Sequence, residues 1–139
     1  MKILYKDIAR CIKSNPSIEE VSEKLFQLGH ENTIEKNSIL DIEFTPNRGD
    51  CLSLHGIVRD LNVFYKTELK YEIYEDPIKP LSLDFLKKSK KICPKISFLK
   101  IVINSDIKNY SDYLESYFKE LNLNKNNFFT DVSNYLSYE

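Results

Sequence analysis

Leu40-Asp41-Ile42-Glu43-Phe44-Thr45-Pro46-Asn47-Arg48-Gly49-Asp50-Cys51, with the apolar-periodic run to Phe64 behind it, decides how this chain folds. Residues 40–44 alternate: Leu40, Ile42 and Phe44 share one face of a strand, and Asp41 and Glu43 take the other. Thr45 to Asp50 then forms a tight connection. Pro46 presets φ for a turn, and Gly49 offers the left-handed conformation that most residues avoid. Asp50 is placed to cap a helix beginning near Cys51 by accepting a bond from an orphan N–H. Leu54, Ile57 or Val58, Leu61 and Phe64 recur at helical spacing and give that helix its buried stripe. The stretch reads as strand, turn, helix.

Working outward toward the amino terminus, residues 2–5 suit a short strand and Asp7 to Ile12 a helical turn. Ser14-Asn15-Pro16-Ser17 breaks the chain, and Ser17 with Glu20 matches a capping box. Ile18, Val21, Leu25 and Leu28 make the apolar face of the next helix, with Gly29 as its stop. His30 to Ser38 is polar, a hairpin-like approach to the central strand.

Downstream, Leu69, Tyr71 and Ile73 alternate with Lys70, Glu72 and Tyr74, as a closing strand would. Pro77 and Pro80 mark a linker. Leu81 to Leu86 suits a short helix. Ile96 to Ile103 is almost continuously apolar, the pattern of a strand buried on both faces. Ser111 or Asp112 can cap a helix carrying Tyr110, Tyr113, Leu114, Tyr117, Phe118 and Leu121. An Asn-rich turn, Asn122 to Asn127, leads to Phe128 through Tyr135. A strand with one and a half helices cannot close a core, so this second module is expected to be incomplete. The fold class is therefore α+β. A small winged-helix-like module at residues 1–75 packs helices on a short, mostly antiparallel sheet. A linker at 76–92 and the start of a second, α/β module at 93–139 follow.

The bulk numbers exclude several classes. At 139 residues, 42% hydrophobic and 29% charged, the chain has a globular composition. A net charge of −1 gives no global electrostatic case for nucleic acid or membrane. Cys11, Cys51 and Cys93 lack metal-ligand spacing, and an odd count without a signal peptide suits a reducing, cytoplasmic setting. No apolar run reaches the roughly 20 residues of a membrane-spanning helix.

Asp41 to Ser53, reading Asp-Ile-Glu-Phe-Thr-Pro-Asn-Arg-Gly-Asp-Cys-Leu-Ser, resembles the amino-terminal domain of the bacterial-type phenylalanine–tRNA ligase β subunit. There a Thr-Pro-Asn-Arg-x-Asp-Cys-Leu-Ser motif precedes Gly-Ile-Ala-Arg-Glu-Leu, and here Gly56-Ile57-Val58-Arg59-Asp60-Leu61 follows. A second patch agrees. Cys93-Pro94-Lys95-Ile96-Ser97 resembles the start of that subunit's editing domain, and Asp131-Val132-Ser133-Asn134-Tyr135 its Asp-Val-Thr-Asn-Tyr.

Two departures matter. Only His30 to Ile39 stands where most members insert an oligonucleotide-binding barrel, too little chain for five strands. The family's next segment, with an editing-pocket His, falls after Glu139, so the resemblance implies a fragment of the architecture. It implies ATP-dependent attachment of phenylalanine to tRNA by an αβ heterotetramer, with catalysis in the α subunit. The expected partners are that α subunit and, in the whole enzyme, tRNA, with neither DNA nor membrane. ATP and Mg2+ belong to the whole enzyme. This chain alone should carry no cofactor and activate no phenylalanine. The rival is a free-standing, shortened paralogue that binds RNA or protein.

Thr45, Pro46, Asn47, Arg48, Gly49 and Asp50 read first as a mechanical joint, since each has a local use. Arg48 exceeds what a turn needs. A charge-assisted bond to Asp41, Glu43 or a carbonyl is favoured over an RNA phosphate contact, because the two acids adjoin it. Lys87, Lys88, Lys90 and Lys91 form the densest basic run, as a solvated linker or a footprint for tRNA. Ser133 and Asn134 fall, by resemblance, on editing-pocket positions but are expected to be structural without the following His. His30 and His55 lack a ligand constellation, so no metal site is assigned. The tyrosines from Tyr110 to Tyr117 read as core in preference to a base-stacking platform.

Overall fold

In the computed structural model the described residues are 1–68, 75, 77, 80–82, 86, 88, 91–104, 106, 107 and 109–139. Two compact units result, one of Met1–Lys70 with Asn109–Glu139, the other of Tyr71–Lys108. The α+β expectation holds for the first.

Its sheet has three strands, β1 (Lys2–Leu4), β2 (Glu31–Glu35) and β3 (Ile39–Glu43), all antiparallel and in the order β1-β3-β2. The central strand is thus the one the alternation picked out. β2 and β3 form the expected hairpin through a 3-10 turn, Lys36–Ser38, where Ser38 takes φ +57°. Ile3 faces Leu40, and Leu4 faces Ile39, so successive residues serve opposite faces of the sheet.

On one face lie α1 (Tyr5–Ala9), α2 (Ile18–Gln27) and α3 (Leu54–Leu61). Ile3, Leu40 and Ile42 meet Ile8, Val21, Leu25, Leu54, Ile57, Val58 and Leu61 there. α2 has the caps its sequence promises. Glu20 N–H donates to Ser17 Oγ at 3.2 Å, and Ser17 N–H to the Glu20 carboxylate at 2.7 Å. At its other end Gly29 sits at φ +85°, while Gly29 N–H bonds Phe26 O and His30 N–H bonds Leu25 O. Those paired bonds are a Schellman stop, in which glycine avoids the steric cost of a left-handed residue.

The other face carries α4 (Asp112–Glu120) and α5 (Phe128–Leu136). Leu4 and Ile39 are covered by Leu114, Tyr117, Phe118 and Leu121, with Val132 and Tyr135 at the margin. Ser111 stands at the α4 N-cap without a side-chain bond, whereas Asn127 Oδ1 caps α5 by accepting from Thr130 N–H at 3.1 Å. Tyr117 is core as expected, but Tyr113 is exposed and Tyr110 only half-buried.

Several expectations meet a different outcome. The helix behind the motif starts at Leu54 and ends at Leu61, leaving Phe64 exposed beyond its cap. Ile96 to Ile103 forms no strand: Leu99 is 84% and Val102 68% exposed. A doubly buried strand needs neighbours on both edges, and no described residue pairs with this run. The closing strand at 69–74 lies outside the described residues, as do residues 83–85 of the 81–86 helix. Among the described residues, no helix is long and apolar enough to cross a membrane.

Candidate functional site

The joint is built by β3 running out through Phe44 into a short 3-10 turn, Gly49–Cys51, and then α3. Thr45, Pro46 and Asn47 are exposed, and Arg48 N–H closes a turn on Thr45 O at 2.9 Å. Two of the expected roles change. Gly49 is not left-handed, and a Cβ there would meet nothing within 4 Å. Asp50 does not cap α3. Ser53 does, its Oγ accepting from Gly56 N–H at 3.1 Å, because two further residues separate the turn from the helix.

Arg48 reaches away from Asp41 and Glu43, the partners expected from the adjoining strand. Its Nε lies 3.1 Å from Asp50 Oδ1, and its terminal nitrogen donates to Asp60 Oδ2 and, at 2.8 Å, to Cys51 Sγ. Arg59 donates to Asp50 and lies 3.4 Å from Asp60 Oδ1. From the far side His30 Nε2 approaches Asp60 Oδ2 to 3.1 Å, with Phe44 edge-on to its ring at 4.9 Å between centroids. An ionised carboxylate only accepts, so Nε2 carries that hydrogen. Asp60 thus gathers the end of α2, the turn and α3 on one carboxylate.

The electrostatics follow. Hydrogen bonds from Arg48 and then Arg59 hold Asp50 at about 2, well below the usual carboxylate range. Burial pushes Asp60 upward, but bonds from Arg48, His30 and Cys51 outweigh it and leave the group below its ordinary value. Burial, reinforced by the bond to Asp60, raises the Cys51 thiol to about 11. His30, Cys51 and Asp60 have donor atoms within 4.8 Å of one another, a spacing and chemistry that could hold a metal ion. Arg48 already donates to two of the three, so an ion would have to displace a guanidinium.

The thiols therefore separate. Cys11 and Cys51 are buried and Cys93 is exposed. Reaction of the folded chain with a disulfide reagent at pH 8 should modify Cys93 at once and the other two only on unfolding, since the thiolate is the nucleophile. Fast modification of Cys51 would show that the cluster is open.

One further residue of the joint escaped the sequence reading. Gly56 packs α3 directly on the turn: a Cβ there would lie 2.0 Å from Asp50 O and 2.8 Å from Cys51 Cα. No φ signal marks it. Its place three residues after a Ser cap, at the start of an apolar stripe, is the available hint.

Comparison with known proteins gives the chain its relatives. Over 75 residues, half of this chain, it is 41% identical to the phenylalanine–tRNA ligase beta subunit of Helicobacter pylori strain J99. It is 30% identical over 105 residues, 73% of the chain, to the subunit of that name from Fusobacterium nucleatum. The Rhodopirellula baltica subunit aligns with the whole chain at 24% identity. The chain belongs to the phenylalanine–tRNA ligase beta-subunit family. It spans 9% of the first of these relatives, 13% of the second and 21% of the third, and corresponds to an amino-terminal portion of the beta subunit. No family model matches it, and no solved structure does.

The family's second patch lands on α5. Ser133 and Asn134 are exposed on that helix, and the Ser133 carbonyl accepts from Ser137 Oγ at 2.8 Å. The buried member of the run is Asp131, which accepts from Asn126 N–H at 3.1 Å and from Tyr110 Oη at 2.5 Å. Neither Ser133 nor Asn134 is brought to the Arg48 cluster. Of the basic run, Lys88 and Lys91 are exposed, while Lys87 and Lys90 lie outside the described residues.

Proposed function

We propose that this chain is a scaffold piece of the phenylalanine–tRNA ligase β subunit, supporting ATP-dependent attachment of phenylalanine to its tRNA. It does so through contacts with the α subunit and contributes no catalytic group. One observation carries this reading. Arg48, the motif side chain with the reach to touch a phosphate, is engaged by Asp50, Asp60 and Cys51. The motif closes on itself, as a joint does, and Ser133 and Asn134 stand apart from it on an exposed helix face. ATP and Mg2+ are then handled by the assembled enzyme.

Pyrophosphate exchange with phenylalanine and ATP tests the absence of catalysis: turnover by the purified chain would overturn it. The lysines are tested through tRNA affinity across a salt series. Neutralising Lys87, Lys88, Lys90 and Lys91 flattens the salt slope if they touch phosphates, because each contact releases counterions. An unchanged slope assigns them to solvated linker.

A further inference from the structure

The first turn of α3 is closed by residues from the far end of the chain. Leu54 N–H donates to Tyr138 O at 2.7 Å, and His55 N–H to Glu139 O at 3.0 Å. Gly56 N–H goes to Ser53 Oγ. A helix leaves its first N–H groups without intrahelical partners, and here two of them are satisfied by the segment that follows α5. The Glu139 side chain adds a second hold, accepting from Arg10 at 3.2 Å and from Tyr135 Oη. α5 is itself fixed at its start, where buried Asp131 ties Asn126 and Tyr110 together.

We infer that residues 127–139 act as a clasp that couples the two motif patches: the Asp131–Tyr135 helix holds the amino terminus of α3, and α3 carries the Gly56 and Asp60 on which the Arg48 joint is assembled. Loosening α5 withdraws the Tyr138 and Glu139 oxygens, uncovers the Leu54 and His55 N–H groups and frees the end of α3 packed on Asp50. The two patches therefore open and close together, although about 80 residues of sequence separate them. The lower part of the seam is polar and suited to such opening. Lys6 pairs with Glu120 at 2.6 Å, and the buried Asp7 carboxylate accepts from Tyr113 Oη at 3.1 Å.

Amide hydrogen exchange of the full chain, resolved at Leu54 and His55, tests the coupling. Tyr110→Phe removes one bond to Asp131, and Asp131→Ala removes them all. The clasp predicts exchange at Leu54 and His55 faster by about tenfold or more in Asp131→Ala, with Tyr110→Phe intermediate. Val21 and Leu25 in α2 should keep their protection. If Asp131→Ala does not fold, Tyr110→Phe carries the test alone. Faster exchange within α5 with no change at Leu54 and His55 would overturn the inference, as would a uniform rise that includes α2.

Discussion

Replacing Gly56 with alanine is expected to cost about 3 kcal/mol of stability. The obstacle is backbone: the added Cβ would sit 2.0 Å from Asp50 O, and no rotamer change relieves that contact. α3 would have to move away from the Gly49–Cys51 turn. That movement separates Asp60 from Arg48 and disturbs Leu54, Ile57 and Val58 in the main core. Gly49→Ala is the control, since a Cβ there meets nothing and its φ is ordinary. Urea unfolding should show a large fall in midpoint for Gly56→Ala and almost none for Gly49→Ala. Equal effects would mean that α3 does not press on the turn.

Asp60→Ala is expected to lose about 2–4 kcal/mol, because it strips the common acceptor from Arg48, His30 and Cys51 at once. Those groups are partly or wholly buried, and leaving a charge or donor there without its partner costs more than the pair contributes. Arg59→Ala should change stability by only a few tenths of a kcal/mol to about 1 kcal/mol, as an exposed arginine does. The two variants differ by one position in sequence and by most of this effect in outcome. Acid has a related consequence. Asp50 and Asp60 both sit below the ordinary carboxylate range, so their contribution is complete above about pH 4. It is lost as pH falls through the folded-state values, to about 2 for Asp50. Asp60→Ala should flatten the stability profile across that window, seen by thermal melts between pH 2 and 5.

What sequence made legible here was local. The capping box of Ser17 and Glu20, the Gly29 stop and the alternation of β3 each depend on residues within a few positions of one another, and each stands where expected. The joint was harder for a definable reason. Asp50 and Ser53 are both good caps, and propensity does not choose between them. The choice is made by a 3-10 turn that consumes Gly49 to Cys51 and by the close approach of Gly56. The adjoining strand points Arg48 to Asp41 and Glu43, but the turn gives it Asp50 and the helix brings Asp60 to it from twelve residues away. His30 read as a lone histidine because its partner lies thirty residues on.

The second half shows the same limit. Apolar periodicity identified the buried face of α4, but it carries no statement about what that face covers. The answer, Leu4 and Ile39 on the back of the first sheet, is a tertiary fact. For Ile96 to Ile103 the pattern read as a strand buried on both faces, and the described residues supply no partner for it. Hydrophobic character is a property of the segment, whereas burial is a property of its neighbours.

A scaffold role in the ligase, with the Thr-Pro-Asn-Arg motif as its joint, requires the chain to hold the α subunit. Pull-down of purified phenylalanine–tRNA ligase α subunit by the tagged chain, run beside a mobility shift with tRNA, tests it most directly. The expected result is retention of the α subunit whether or not tRNA is present, and its release by Gly56→Ala. Binding of tRNA with no retention of the α subunit would contradict it, and would make the chain an independent RNA-binding module.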